Sequence, residues 1–243
     1  MKNKTCPQRK YKLLDLTTIT KLKDKNVAHA IGAIAADGTI SKRSDRRNCD
    51  RLTFRVKKDD ENWVTCIRDA LGIDNEILPT VYPKNEYRKT ETTCVGFQIN
   101  QAGLRKPFSK WSIIPKKYNI MPFPHHLPQR LKRHFIRGFF EGDGCVFFKH
   151  YPGRGYKQEV KITGCCLDFL MGLQKELDKK NITAIIRTDG VRKGKPCYNL
   201  VLRAASYIAF YEYMYGDGGN YMKRKKDKYT ELVEHRKNKD CGA

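Results

Sequence analysis

Acidic residues are scarce in this 243-residue chain: 26 Asp and Glu stand against 49 Lys and Arg, a formal net charge of +23. Such an excess opposes compaction by self-repulsion and has no use in an enzyme of small neutral metabolites. It suits a polyanion, and a long basic surface points to nucleic acid. Long apolar runs are also missing. The longest uncharged one, Ala30 to Ala36, is far below the roughly 20 residues that span a bilayer, so no membrane partner is expected. No cysteines stand in C-x-x-C spacing, which removes a common structural zinc signature. The nine cysteines are odd in number and no cleavable signal peptide is evident, so the expectation is reduced thiols in an intracellular protein.

What is present suffices for a core. The hydrophobic fraction is 40%, with 11 Phe, 13 Tyr and 2 Trp, and the length allows one large or two small domains. The chain also contains its own repeat. Ala30-Ile-Gly-Ala-Ile-Ala-Ala-Asp37-Gly38 and Ile136-Arg-Gly-Phe-Phe-Glu-Gly-Asp143-Gly144 are apolar, helix-like runs that end in Asp-Gly and lie 106 residues apart. Each is followed by a strand pair (39–57; 145–163), an amphipathic helix (61–71; 167–179), a second strand pair (77–100; 183–203) and a shorter helix (102–111; 206–215). Alternation defines the strands: Leu52, Phe54 and Val56 share one face, while Arg51, Thr53, Arg55 and Lys57 share the other. Val160 and Ile162 alternate in the same way with Glu159, Lys161 and Thr163. Half-buried sheets with one basic, hydrogen-bonding face follow.

Four prolines between Ile114 and Pro128 exclude helix interior and central strand. The expected organisation is therefore a first repeat over 1–114, a linker over 115–128, and a second repeat over 129–243 with a basic, helix-compatible tail from Met222 to Lys239. On the two Asp-Gly helices, small residues recur every fourth position: Ala28, Gly32 and Ala36, then Gly138 and Gly142. Such stripes let helix backbones approach closely. The terminal glycines, Gly38 and Gly144, are expected as left-handed caps. Close packing would bring Asp37 and Asp143 together, and paired carboxylates repel unless a cation joins them. Magnesium, which favours oxygen ligands, suits that place, and a carboxylate pair beneath a basic sheet suits phosphodiester hydrolysis.

Both segments resemble the LAGLIDADG motif of homing endonucleases, and the chain resembles the single-chain members that carry two copies. The second copy is a close match; the first departs at Ala35, where the motif often has an acidic residue, but keeps Asp37. The resemblance implies an α+β fold of two pseudo-symmetric αββαββα repeats. These form a saddle of antiparallel sheets over double-stranded DNA, with the motif helices packed at the centre. It also implies a metal-dependent double-strand cut across the minor groove of a long non-palindromic target, leaving short 3′ overhangs. The compartment would be the cytoplasm or an organelle that carries the host intron.

By motif alignment Asp37 and Asp143 are the metal ligands, helped by the carbonyls of Ala36 and Gly142. Magnesium is the expected ion, with manganese able to substitute and calcium binding without cleavage. Lysines near the attacking water align as Lys117 and Lys225, which follow their aspartates by 80 and 82 residues. Lys116, Arg224 and Lys226 are neighbouring alternatives, as is a plain phosphate-binding role. Lys58 and Asn62 fall where polar side chains border the site, with Gly164 and Cys165 at the matching places. For DNA binding the face beyond each Asp-Gly gives Thr39, Ser41, Arg43, Arg51, Thr53, Arg55, Gln98 and Asn100 in the first half. Lys149, Lys161, Arg187, Asn199 and Arg203 follow in the second. Arg and Lys suit guanine edges, Asn and Gln suit adenine, and any of them can instead hold phosphate.

Three rival readings remain at this level. Asp143 with Glu159-Val-Lys161 fits a loose D…E-x-K nuclease pattern, but leaves the first Asp-Gly helix unexplained. An intron RNA maturase of the same fold and a non-cleaving DNA-binding protein are the others; retention of both aspartates favours cleavage. One chain supplies both motifs, so a monomer on a single duplex is expected. Counterion release makes one outcome general: log Kd for duplex DNA against log salt, measured by fluorescence anisotropy, should have a slope magnitude of about 5 or more. A flat plot would mean that the charge serves something else.

Overall fold

The computed structural model describes residues 11–22, 24–43, 49–86, 89–117, 120–192 and 194–240. A short helix, α1 (Leu16–Lys21), precedes the first motif helix, α2 (Lys25–Asp37). Asp24 starts α2 by accepting from Asn26 N at 2.6 Å and Val27 N at 3.2 Å, which satisfies two amides that lack helical partners. Strands β1 (Thr39–Lys42) and β2 (Asp50–Lys57), helix α3 (Glu61–Ala70), strands β3 (Leu78–Tyr82) and β4 (Thr92–Gln101) and helix α4 (Arg105–Ser109) complete the first half. The second motif helix, α5 (Gln129–Asp143), opens the same order: β5 (Gly144–Tyr151), β6 (Gly155–Gly164), α6 (Leu167–Asp178), β7 (Ala184–Arg192), β8 (Lys195–Leu202), α7 (Tyr207–Tyr215). The basic tail is a long helix, α8 (Lys223–Asp240).

The two sheets are antiparallel and wired alike, β1-β2-β4-β3 and β5-β6-β8-β7. In β2 the buried residues alternate with half-buried ones, so Leu52, Phe54 and Val56 enter the core while Arg51, Thr53 and Arg55 line the other face. On α3, Trp63, Val64 and Ile67 make the buried stripe that covers the first sheet from behind. On α8, Tyr229, Leu232 and Val233 are buried and anchor the tail beside Phe140 and Phe210.

The centre of the molecule is the contact of α2 with α5. A Cβ on Gly32 would overlap the carbonyl of Phe135, and a Cβ on Gly138 would overlap that of His29. These contacts are mates about a pseudo-twofold axis, since 32 and 138, like 29 and 135, differ by 106. One step further, a Cβ on Gly142 would overlap Ala36 and lie 2.8 Å from an Asp37 carboxylate oxygen. The small-residue stripes thus work as steric clearance. The terminal glycines differ from expectation: Gly38 (φ −78°) and Gly144 (φ −82°) are extended, not left-handed. Their missing Cβ atoms leave room for Ile34 and Phe140 instead.

Polar ties also cross between the halves. His29 on α2 and Glu141 on α5, both fully buried, meet at 2.6 Å. Arg224 on α8 binds buried Asp60, just before α3, through Nε (3.1 Å) and Nη2 (2.8 Å). Asn220 takes Asn26 Oδ1 at 3.2 Å and the Cys66 carbonyl at 3.3 Å. Gly32→Ala or Gly138→Ala should destabilise the protein by about 3 kcal/mol, because two backbones must separate. Gly164→Ala, whose Cβ would meet nothing closer than 3.7 Å, should be nearly silent. Urea unfolding checks both, and a tolerated Gly32→Ala would contradict the packing.

Candidate catalytic centre and nucleic-acid interface

Asp37 and Asp143 are the last residues of α2 and α5, so the helix contact delivers both carboxylates to one place. Asp37 is exposed to solvent and Asp143 is half-buried. Burial, followed by the charge of Asp37, pushes the Asp143 carboxyl up to about 7. Burial raises Asp37 as well, against the opposing pull of Lys225 and Lys117. Two negative groups held here want a cation.

The two lysines hold the helix ends. Lys117 Nζ donates to the carbonyls of Ala36 (3.1 Å) and Gly38 (2.6 Å). Lys225 Nζ reaches Phe140 (3.1 Å), Glu141 (2.6 Å), Gly142 (3.2 Å) and Gly144 (2.6 Å). The last carbonyls of a helix have no amide to accept and form the negative end of its dipole. An ammonium on each satisfies both conditions. Burial lowers Lys117, while Asp143 and Asp37 oppose that shift; burial and then Arg224 bring Lys225 down to about 8. This capping role was not evident in the sequence alone, because nothing in a lysine's neighbourhood shows which carbonyls it will meet.

A cavity of about 600 Å³ opens beside Asp37, Asp143 and Lys117, with Thr163, Gly164 and Cys165 from the exit of β6 on its far wall. The equivalent exit of β2 leads to Asp60, which Arg224 binds, while Lys58 is exposed next to it. The centre is therefore pseudo-symmetric in its carboxylates and lysines, and asymmetric in its walls. The buried His29–Glu141 pair has an asymmetric origin too, since Phe135 and Ala35 occupy the mates of those positions. The absence of an acid at Ala35 was the sequence signal for it. Cys165 and Cys197 are joined as a disulfide, with Cα atoms 4.3 Å apart. The expectation of reduced thiols fails at this pair, because the pairing of Gly164 with Tyr198 sets the next two residues opposite one another.

Sheet register settles which side chains share the open face. Thr39 lies opposite Thr53 and Ser41 opposite Arg51, while Thr53 lies opposite Gln98 and Arg51 opposite Asn100. Arg55 shares their side of β2, and Arg43 follows just past β1. In the second half Lys149, Lys161, Asn199 and Arg187 share a face, and Arg203 continues its parity one residue beyond β8. Asn199 is buried and engaged: it accepts from Thr163 Oγ1 at 2.7 Å and donates to Asp189 Oδ1 at 2.6 Å. It braces the sheet instead of standing free to read a base. Among the described residues no group of three or more His, Cys, Asp or Glu forms a ready-made metal cage, and no helix is long and apolar enough to cross a membrane.

Residues 130–215 match the family model of the LAGLIDADG-like domain. The fold over most of the chain is similar to that of solved homing endonucleases. The homing endonuclease I-WcaI, bound to its DNA recognition sequence, superposes with a TM-score of 0.55 at 15% identity, covering 92% of this chain and 95% of that one. Mesophilic variants of I-DmoI give 0.54 at 16% identity over 79% and 96%. I-SmaMI, bound to uncleaved DNA in the presence of calcium, gives 0.51 at 13% over 88% and 92%. I-DmoI also has structures with DNA and Ca or Mn, at TM-scores of 0.51 and 0.52. No curated protein matches the chain in sequence. The LAGLIDADG-like match falls on the second half, the half whose motif keeps the acidic Glu141.

The raised Asp143 makes a prediction for the metal-free protein. Its folded-state carboxyl holds a proton up to about pH 7, whereas the unfolded one ionises from its ordinary value of 3.8. Folding therefore takes up a proton between these limits, and stability falls as pH rises through them. Asp143→Asn removes that loss. Its melting temperature without metal should exceed that of the unaltered chain by a few degrees at pH 8, and the gain should shrink toward pH 5. An unchanged or lowered value at pH 8 would contradict a desolvated, repelled carboxylate.

Proposed function

We propose that the protein is a site-specific DNA endonuclease that cuts both strands of a long, non-palindromic duplex with a divalent cation and leaves short 3′ overhangs. The observation that carries this reading is the delivery of Asp37 and Asp143 by two interlocked helices to one cavity that Lys117 also lines, with Lys225 held on the carbonyls at the end of α5. The donor set fits a hard cation: carboxylates of Asp37 and Asp143 with the carbonyls of Ala36 and Gly142 are all oxygen. When bound there, magnesium or manganese supplies charge neutralisation at the scissile phosphates and a more acidic water. Calcium, larger and looser in coordination, would support binding and not cleavage.

The chain's own groups do the rest. The sheets seat the duplex through phosphate and base contacts, with Arg51, Arg55, Gln98, Lys149 and Arg187 among those available. Lys117 and Lys225, held at the helix ends, place positive charge where the pentavalent phosphorus centre gains negative charge. Because one chain supplies both carboxylates and both sheets, a monomer on one duplex is sufficient. Two carboxylates retained in full favour cleavage over an RNA-binding or non-cleaving role.

Asp37→Asn and Asp143→Asn should each abolish double-strand cleavage, by at least about 100-fold, while Kd for the target changes little. The charge lost is a ligand charge and the sheet faces are untouched. Gel assays with magnesium alongside anisotropy with calcium separate the two effects. Full cutting by either variant would remove the assignment.

A further inference from the structure

Register allows the two sheet faces to be compared position by position. Thr39 pairs with Thr53, and Cys145 with Lys161, so Thr53 and Lys161 are counterparts on the inner strands β2 and β6. Two residues along, Arg51 corresponds to Glu159 and Arg55 to Thr163. On β4 and β8, Gln98 is opposite Thr53 and Val201 opposite Lys161, so Gln98 corresponds to Val201. The inner strands of the first sheet thus present two guanidiniums and two amides, the groups that read guanine and adenine edges in pairs of hydrogen bonds. Arg51 donates to Asn100 Oδ1 at 3.1 Å, which aligns the two and leaves other donors of each unspent.

The second sheet offers little of this on its inner strands. Lys161 is paired with Glu159 at 2.8 Å. Thr163 and Asn199 bind each other, and Asn199 also binds Asp189. The Val201 side chain has no hydrogen-bonding group. Phe147, opposite Glu159, takes the place that Ser41 has opposite Arg51. Of the exposed cations on this face, Lys149 and Arg187 sit on the edge strands β5 and β7, Lys157 lies at the far end of β6, and Arg203, the counterpart of Asn100, follows β8. A cation without a neighbouring amide suits phosphate as readily as a base.

We infer that the two half-sites are read unequally: the half on the first sheet carries most of the base discrimination, and the half on the second sheet is held by phosphate contacts and apolar packing. The inference rests on the DNA-binding reading above. It specifies which sheet does the reading, and it follows from the residues that occupy matched positions.

The test is selection of a fully randomised duplex library by the intact chain with calcium, followed by sequencing of the bound pool. A parallel selection with Arg55→Ala identifies which half of the motif lies on the first sheet, and one with Arg187→Ala reports whether the second sheet reads bases. The favoured base should be enriched about tenfold or more at several positions of the half that Arg55→Ala relaxes, and by about twofold in the other half. Arg187→Ala should weaken binding across all sequences without reshaping the motif. Equal enrichment in both halves, or a sharper motif on the half that Arg187→Ala relaxes, would overturn the inference while leaving DNA binding intact. A pool with no enriched sequence would overturn both it and the assignment of a site-specific endonuclease.

Discussion

Backbone-to-backbone contact between α2 and α5 is the constraint on which everything else in the molecule hangs. Gly32 lies against the Phe135 carbonyl and Gly138 against that of His29, with no room for a methyl group at either. The contact fixes the relation of the two sheets, and it brings the ends of the helices together. Since the aspartates are the final helical residues, the same contact fixes the geometry of the proposed catalytic centre. Fold and site share one determinant, so a change that loosens the interface loosens the chemistry.

That arrangement costs stability. A carboxylate raised to about 7 in the folded state is one the fold would prefer to protonate, and its neighbour Asp37 adds repulsion. The lysines offset part of the cost: Lys117 and Lys225 each face the carboxylates while capping the helix that carries one of them. The capping contacts explain why these lysines tolerate burial, which otherwise lowers their affinity for a proton. The divalent ion of the proposed function would relieve both carboxylates at once.

Much of this was legible in the chain. The 106-residue repeat, the small-residue stripes and the alternation of Arg51 to Lys57 each state a local rule whose consequence is unambiguous. What was hidden depends on contacts between residues far apart. The extended Gly38 and Gly144 look like ordinary left-handed caps until Ile34 and Phe140 are placed beside them. The Cys165–Cys197 bond follows from strand register across 32 residues, and the Arg224–Asp60 and His29–Glu141 ties cross between the halves. Asn199 shows the same limit. Its type and face suit base recognition, but Thr163 and Asp189 occupy its amide.

The asymmetry between the halves is as informative as their symmetry. Carboxylates, lysines and strand order repeat, whereas the walls of the centre and the residues on the inner strands do not. A single chain is free to diverge in this way, because on the proposed function each half would meet only its own part of a target. The central claim is that Asp37 and Asp143 jointly hold the catalytic cation. Anomalous diffraction from a manganese-soaked crystal of the protein on its selected duplex tests it most directly. Strong peaks should lie at both carboxylates, within coordination distance of the Ala36 and Gly142 carbonyls and the scissile phosphates. Manganese bound elsewhere on the chain, with neither aspartate among its ligands, would contradict the account.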